Sequence, residues 1–394
     1  VKPVHPTIRL AASLAAAALL VLAIGPAQGA GAGRAGRSAP GARAPIVKTR
    51  KIAPGLTYIR IVRRQLPLRT FVLRIDLSKA ITLDTTIAED ALPSRRQLSR
   101  IVRNHGALAG VNGDPGEGLG NTVHPFAQDG ELLHTAGPDA EMFAVSKDES
   151  STFLGNPKLK VNVTDMSNGR VFTLDRWNRR APEPGEIVGF SPLGGTLAAP
   201  PSFSCSVRLA PQGPAQVAVP DGVDRDYLVD LATCSESPFD RNGGVVLSTA
   251  PGTDEAEQLL ALTPGTPMRL HWTLGWPGVF DAVGGDPILL LDGAQTPICV
   301  SCARQPRTAI GVTATGRILL VVIDGRQPRW SRGATLGELR STLRDLGAVD
   351  ALNLDGGGSS EMVVKGEVVN RPSDGRERRI TNAVLILPGA DPGE

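Results

Sequence analysis

The stretch Ala351-Leu-Asn-Leu-Asp355-Gly-Gly-Gly-Ser-Ser360 organises the reading of this chain. Apolar residues run into an Asn and an Asp, three glycines follow, and two hydroxyls close the run. A strand ending this way delivers a carboxylate to its tip. The glycines then give a backbone that turns sharply, with no side chain between its N–H groups and an anion.

The stretch has a counterpart upstream. Before it, Thr335-Leu-Gly-Glu338 has the form of a capping box, and Leu336, Leu339, Leu343 and Leu346 fall at helical spacing. Gly347 closes that helix, and Ala348–Leu352 reads as a short strand. In the earlier unit Ser94 and Gln97 have capping-box form, Leu98, Ile101 and Val102 make an apolar stripe, and Gly106 is the cap. Ala107–Val111 is again a short strand. Counted from Gly106 and from Gly347, Asn falls six residues on and Asp eight, giving Asn112/Asp114 and Asn353/Asp355. Strand side chains alternate, so Asn and Asp two apart share a face at the strand's end. The expectation is two tips side by side, presenting both pairs to one pocket.

A third tip lies between them. Ile318–Ile323 is apolar throughout, the mark of a strand buried on both faces, and it ends in Asp324-Gly-Arg326. Arg307-Thr308 opens the preceding strand of the same hairpin. Asp114, Asp324 and Asp355 with Arg307 and Arg326 suit a reaction at a phosphate ester. Guanidinium forks match phosphate oxygens, and crowded carboxylates split their pKa values into an acid and a base. Metal-dependent ester cleavage is the competing chemistry, but no tight His/Asp cluster is present, so no metal ligands are assigned. No cofactor is expected, with a divalent cation left open. His124 and His134 lie near the first tip and read as hydrogen-bonded residues with a capacity for acid–base work.

The 394 residues are enough for one large domain or more, and a net charge of +3 with 21% charged residues indicates no nucleic-acid partner. Residues 1–32 read as an export signal: Lys2, His5 and Arg9, then apolar Leu10–Ile24, then small residues at Ala30-Gly-Ala32. The apolar run is short for a membrane span of about 20 residues, so no transmembrane domain is expected in the mature chain, which is placed outside the cell or in its envelope. Residues 33–50 read as a disordered linker, with structure starting near Ile46. The rest, 51–390, reads as one catalytic domain, interrupted at about 151–291 by a β-rich insertion. Export makes the four cysteines readable as disulfides. Of three possible pairings, Cys205–Cys234 and Cys299–Cys302 are favoured because local closure is easiest.

Five motifs in order carry a family resemblance: Gly110-Val-Asn-Gly-Asp114, Pro306-Arg-Thr-Ala-Ile-Gly-Val312, Val322-Ile-Asp-Gly-Arg-Gln327, the opening stretch, and Asn370-Arg-Pro-Ser-Asp-Gly375. Over residues 105–145 and 305–388 the chain resembles the phosphodiester glycosidase family. The resemblance implies a mixed α+β fold, here a central mixed β-sheet with flanking helices. It also implies cleavage of a sugar–phosphate diester at the sugar, with a phosphorylated glycan or cell-envelope polymer as partner. It places Asn112, Asp114, Arg307, Thr308, Asp324, Arg326, Asp355, Gly356, Gly357, Gly358 and Ser359 in the site, with Asn353 beside them. Asp355, Asp114 and Asp324 are the expected catalytic carboxylates, and Arg307 and Arg326 the phosphate clamp. Bacterial members carry two Phe after the first motif; here Pro115-Gly-Glu-Gly118 follows, which alters the substrate-facing wall. The alternatives are a non-catalytic envelope protein that binds phosphorylated glycans and a metal-dependent phosphodiesterase.

Overall fold

The structure, a computed structural model, describes residues 44–118, 120–135, 141–179, 181–194, 204–212, 224–235 and 244–389. The segment expected to be an export signal, residues 1–32, and most of the expected linker lie outside these residues. The first strand, Ile46–Ala53, begins inside the 33–50 span, so its last five residues are strand rather than linker.

The apolar strand Ile318–Ile323 is buried at every position, and its neighbours explain why. It lies inside an eight-stranded sheet whose order is 46–53, 56–63, 68–75, 318–323, 307–313, 348–353, 288–291, 294–295. Every pairing in that sheet is antiparallel. One face, with Phe71, Leu73, Ile310, Leu320 and Val322, packs on Leu83, Val111, Met362, Val384 and Ile386 of a second, five-stranded sheet. That sheet runs 367–368, 362–364, 109–112, 382–388, 81–87 and is also antiparallel. Each sheet has one helix on its outer face. Leu336, Leu339 and Leu343 of helix Leu336–Asp345 cover the first, and Leu98, Ile101 and Val102 of helix Leu98–Asn104 cover the second.

A further five-stranded sheet (131–134, 126–128, 279–285, 141–146, 152–155) joins this sandwich to another eight-stranded sheet built wholly within residues 160–273. Their shared core includes Trp177, Trp272, Leu209 and Met142. Disulfides join Cys205 to Cys234 and Cys299 to Cys302. Among the described residues no helix is long and apolar enough to cross a membrane.

These facts correct the expected fold class. Among the described residues strand takes up 49% and helix 9%, in three short helices, so the fold is β-rich and not a mixed α+β sheet flanked by helices. The buried faces of the sheets are covered mainly by other sheets, which leaves work for only a few helical turns. One capping box is corrected too. Thr335 and Glu338 cap their helix reciprocally, but the helix at Leu98 starts from an extended Gln97 with no side-chain cap, and Ser94 caps nothing. Gly106 and Gly347 do close the two helices, with φ of +63° and +93°.

Candidate active site

The two Asn-x-Asp tips belong to different sheets. Ala109–Asn112 is in the five-stranded sheet and Ala348–Asn353 in the eight-stranded one, so the tips meet across the sandwich instead of side by side. Asn112, 1% exposed, is the joint. Its Nδ2 donates to the Asp355 carbonyl at 2.8 Å. Its Oδ1 accepts from Thr308 Oγ1 at 2.8 Å and from the Glu361 N–H at 3.0 Å. The Asp355 N–H donates to the Gly113 carbonyl at 3.0 Å, and the Leu354 N–H to that of Thr308 at 2.9 Å. All three segments are thereby locked around one side chain.

Asp114 and Asp355 both line a cavity of about 1410 Å³. Ser359 shares its floor, and Pro115 and Gly116, from the segment that departs from the family pattern, share its wall. Asp355 is half-buried. Burial raises its pKa, against donation from Ser359 Oγ and the Gly356 N–H and the charge of Arg378. Gly357–Ser359 forms a single 3-10 turn. Gly357, at φ +63°, faces Arg326: a Cβ there would lie 3.0 Å from Arg326 Nη2. Gly358 packs against the ion pair of Arg378 with Asp374, 2.7 Å, with no room for a Cβ. Gly356 lies against the Pro306 carbonyl.

Asp114 is fully buried and its oxygens are occupied. Oδ2 accepts from the Val123 and His124 N–H groups at 2.6 and 3.0 Å, and Oδ1 meets His124 Nδ1. The His124 imidazole is 18% exposed. Burial disfavours its charged form, but the hydrogen bond and charge of Asp114, with Asp286 and Glu141 adding, together raise its pKa, while burial also raises that of Asp114. Below it, His134 is buried, with Nδ1 3.2 Å from the His124 carbonyl. Burial pushes His134 down to about 3, so it is neutral and Nδ1–H is the donor.

The other expected residues stand apart from the cavity lining. Asp324 is buried, accepting from Trp330 Nε1 at 2.7 Å, Asn370 Nδ2 at 3.0 Å and the Arg371 N–H at 3.1 Å. Arg307 donates to the carbonyls of Ala334 and Ala303, both at 3.1 Å. Arg326 donates to Gln305 Oε1 at 2.7 Å. Asn353 donates to the Asp286 carbonyl at 2.7 Å.

The positive charge around the cavity comes instead from Arg95, Arg96, Arg100, Arg376, Arg378 and Arg379. Residues 96–97 and 379–380 pair as a two-stranded ribbon, which brings these arginines together. Arg96 is paired with Glu89 at 2.7 Å, and Arg379 donates to the Arg95 carbonyl at 2.8 Å. A second carboxyl pair also went unread in the sequence. Glu361 is wholly buried, and no donor among the described residues reaches its oxygens; it meets Glu377, which lines the cavity. Burial first, then Glu377, push Glu361 up to about 8. Its place beside Ser360 and the charge of Glu377 on a polar loop were visible, but nothing local links the two.

Asp355, with the buried Asp114–His124 pair behind it, thus faces a cavity walled by arginines, where the charge would favour an anionic ligand. Residues 221–387 match the phosphodiester glycosidase family, taking in the later of the two stretches that carried the resemblance. The chain is 39% identical over 83 residues to the SPbeta prophage-derived uncharacterized protein YomE of Bacillus subtilis (strain 168), covering 21% of this chain and 13% of that protein. It is 41% identical over 68 residues to N-acetylglucosamine-1-phosphodiester alpha-N-acetylglucosaminidase of Mus musculus, covering 17% of this chain and 13% of that enzyme. The matched stretches are thus a small part of either relative. A hypothetical protein from Synechocystis shares the fold, with a TM-score of 0.67 at 20% identity over 87% of this chain and 64% of that one. The resemblance to the phosphodiester glycosidase family therefore stands on matched sequence.

Proposed function

We propose that this chain is an exported hydrolase that cleaves the glycosidic bond of a sugar-1-phosphodiester. The observation that carries the reading is a single arginine-walled cavity lined by both tips, Asp114 and Asp355, whose segments are joined by the Asp355 N–H bond to the Gly113 carbonyl. The two disulfides fit an oxidising compartment. The matched relatives supply the substrate class.

Arg100 and Arg376 reach the cavity without a carboxylate partner among the described residues, and they are the phosphate clamp in this reading. This role moves away from Arg307 and Arg326, whose donors are directed to protein acceptors. Asp355 has no cation bonded to it among the described residues and is the carboxylate that attacks the anomeric carbon or takes a proton from water. Asp114 is saturated by three donors, so its part is to orient the His124 ring and favour its charged form; in this reading that imidazolium, set behind Asp114 and outside the cavity lining itself, is the acid for the departing phosphate oxygen. Asp324 shapes the loop at Asn370-Arg371 and does not meet substrate.

Turnover of a synthetic sugar-1-phosphodiester by the purified chain, with and without EDTA, tests the reading. Asp355→Asn is expected to abolish turnover while retaining binding. Binding without turnover in the wild type would make the chain a glycan-binding protein instead. Loss of activity in EDTA, restored by a divalent cation, would make it a metal-dependent phosphodiesterase.

A further inference from the structure

Behind the turn that carries Asp355 lies a second concentration of arginines, which the proposed reaction does not use. Arg64 sits in the turn after strand Leu56–Arg63, and Arg326, Arg329 and Arg332 sit in the loop after strand Ile318–Ile323. Backbone contacts fix the two together: the Arg332 N–H donates to the Pro67 carbonyl at 2.8 Å and the Arg69 N–H to Ser331 Oγ at 3.1 Å. Two guanidinium groups lie over Trp330, Arg69 at 3.5 Å and Arg371 at 5.6 Å from its ring centre. Gln327 Nε2 donates to the Arg371 carbonyl at 3.0 Å, which ties this loop to the segment leading to the cavity.

Arg64, Arg326, Arg329, Arg332 and Arg371 are all exposed. The nearest ion pair, Arg63 with Asp345, is a loose one at 3.9 Å. The acid at the centre, Asp324, is buried with its oxygens occupied. Like charges gathered on one face repel one another, and Arg69 feels this: its pKa is lowered by burial first and then by Arg60, with the buried Asp324 opposing and Arg64 adding. An arrangement of this kind is relieved by a ligand that brings several negative charges. The ridge is continuous with the cavity through one turn: Arg326 faces Gly357, and the next residue, Gly358, faces the Arg378–Asp374 pair on the cavity side.

We propose that this ridge binds additional phosphates of a polymeric substrate, a chain of glycosyl phosphodiester repeats of which one unit occupies the cavity. The proposal rests on the functional reading above and names its substrate as a polymer rather than a single sugar phosphodiester. Guanidinium forks suit phosphate. Single-stranded nucleic acid fits the ridge less well, because base stacking needs an open aromatic face and the loop's one aromatic ring, Trp330, already carries the Arg69 guanidinium over it.

The test compares a glycosyl-phosphate oligomer with its single repeat unit, using the wild type and the triple variant R64Q/R329Q/R332Q, all at exposed positions outside the cavity. For the wild type, the oligomer is expected to bind about tenfold more tightly than the unit, with a steeper loss of affinity on adding salt. The triple variant should lose that advantage while its kcat and KM for the single unit are unchanged. Equal affinity for oligomer and unit in the wild type overturns the proposal. So does equal weakening of both by the variant, or competition by dextran sulfate or single-stranded DNA as strong as that of the oligomer. Ridge-dependent binding of the oligomer with no turnover of either ligand upholds the ridge and overturns the hydrolase reading.

Discussion

The side-chain amide of Asn112 donates to the carbonyl of Asp355 at 2.8 Å, across two sheets and 243 positions of sequence. The same side chain accepts from Thr308 and from the Glu361 N–H, so its three bonds close the joint between both tips and the strand carrying Arg307. Asn112→Ala leaves three buried groups without partners and is expected to cost about 3 kcal/mol or more, read from a denaturant midpoint. Thr308→Val keeps the shape and removes one bond, for about 1 kcal/mol. If the two variants lose equal stability, the Asn112 side chain is not the joint.

The pairing of Asp114 with His124 makes a prediction about pH. A raised His124 pKa means the imidazolium persists to higher pH than for a free histidine. A step that needs this proton then declines as pH rises through that pKa. Asp114→Asn removes the largest of the charges opposing burial, so the decline moves to lower pH, and turnover at neutral pH falls by roughly 10²-fold or more. His124→Gln removes this limb of the profile altogether. A purely structural role for Asp114 would lower stability and leave the position of the limb unchanged.

Stability should also depend on pH in a definite direction. Glu131, Glu149 and Glu361 are each pushed up to about 8, and Asp84 to about 6, with burial the largest cause for all four. From about pH 4.5 upward the unfolded chain releases protons that the folded chain still holds, so stability falls as pH rises towards 8. His134 acts on the other side. It stays neutral down to about 3, while an unfolded histidine takes a proton near 6.5, so stability also falls as pH drops through that interval. Three glutamates and Asp84 outweigh the one histidine from about pH 4.5 upward, so thermal unfolding should show its maximum at about pH 4. Glu361→Gln should be more stable than the wild type at pH 8, by on the order of 2 kcal/mol, with the difference shrinking towards pH 5. A flat profile between pH 5 and 8 would contradict the buried-acid account.

The sequence disclosed the parts of this site that depend on neighbours along the chain. The Thr335–Glu338 cap, the φ > 0 glycine at Gly347 and the strand ending at Asn353 are local events, and each leaves a local pattern. The hairpin of 307–313 with 318–323 was legible for the same reason. What was hidden depends on pairing at a distance. The ribbon joining 96–97 to 379–380 has two residues on each side, too few for periodicity, yet it assembles the arginine wall. His124 reaches Asp114 through the 116–117/121–122 hairpin, and Glu361 reaches Glu377 only through the packed fold. The fold class was misjudged because helix caps and leucine spacing are strong local signals. Strands as short as two residues are weak ones, even where they are numerous.

The disulfides differ in what they hold. Cys205–Cys234 closes an interval of 29 residues and Cys299–Cys302 one of 3. The entropy removed from the unfolded chain grows with the loop, giving roughly 4 kcal/mol for the first and under about 2 for the second. The Cys205→Ser/Cys234→Ser variant should therefore lower the denaturant midpoint more than Cys299→Ser/Cys302→Ser does. The reverse order would show that strain or residual structure, not loop closure, governs them.

The tri-glycine turn separates conformational need from close approach, and two substitutions tell them apart. Gly357 has φ of +63°, so Gly357→Ala costs about 1 kcal/mol in backbone strain, and the added methyl presses on Arg326. Gly358 lies outside the left-handed region, but a methyl there overlaps the Arg378 guanidinium and the Asp374 carboxylate. Both of those side chains line the cavity that holds Asp355. Gly358→Ala is therefore expected to push the ion pair into the cavity and to raise KM for a sugar-1-phosphodiester about tenfold or more. Its stability should change little, since that surface pair contributes at most about 1 kcal/mol. Gly357→Ala should show the opposite balance, with stability lowered and KM moved less. If Gly358→Ala binds and turns over substrate as the wild type does, the Arg378–Asp374 pair does not bound the substrate's space. The anionic ligand would then have to enter the cavity from the side of Arg95 and Arg100.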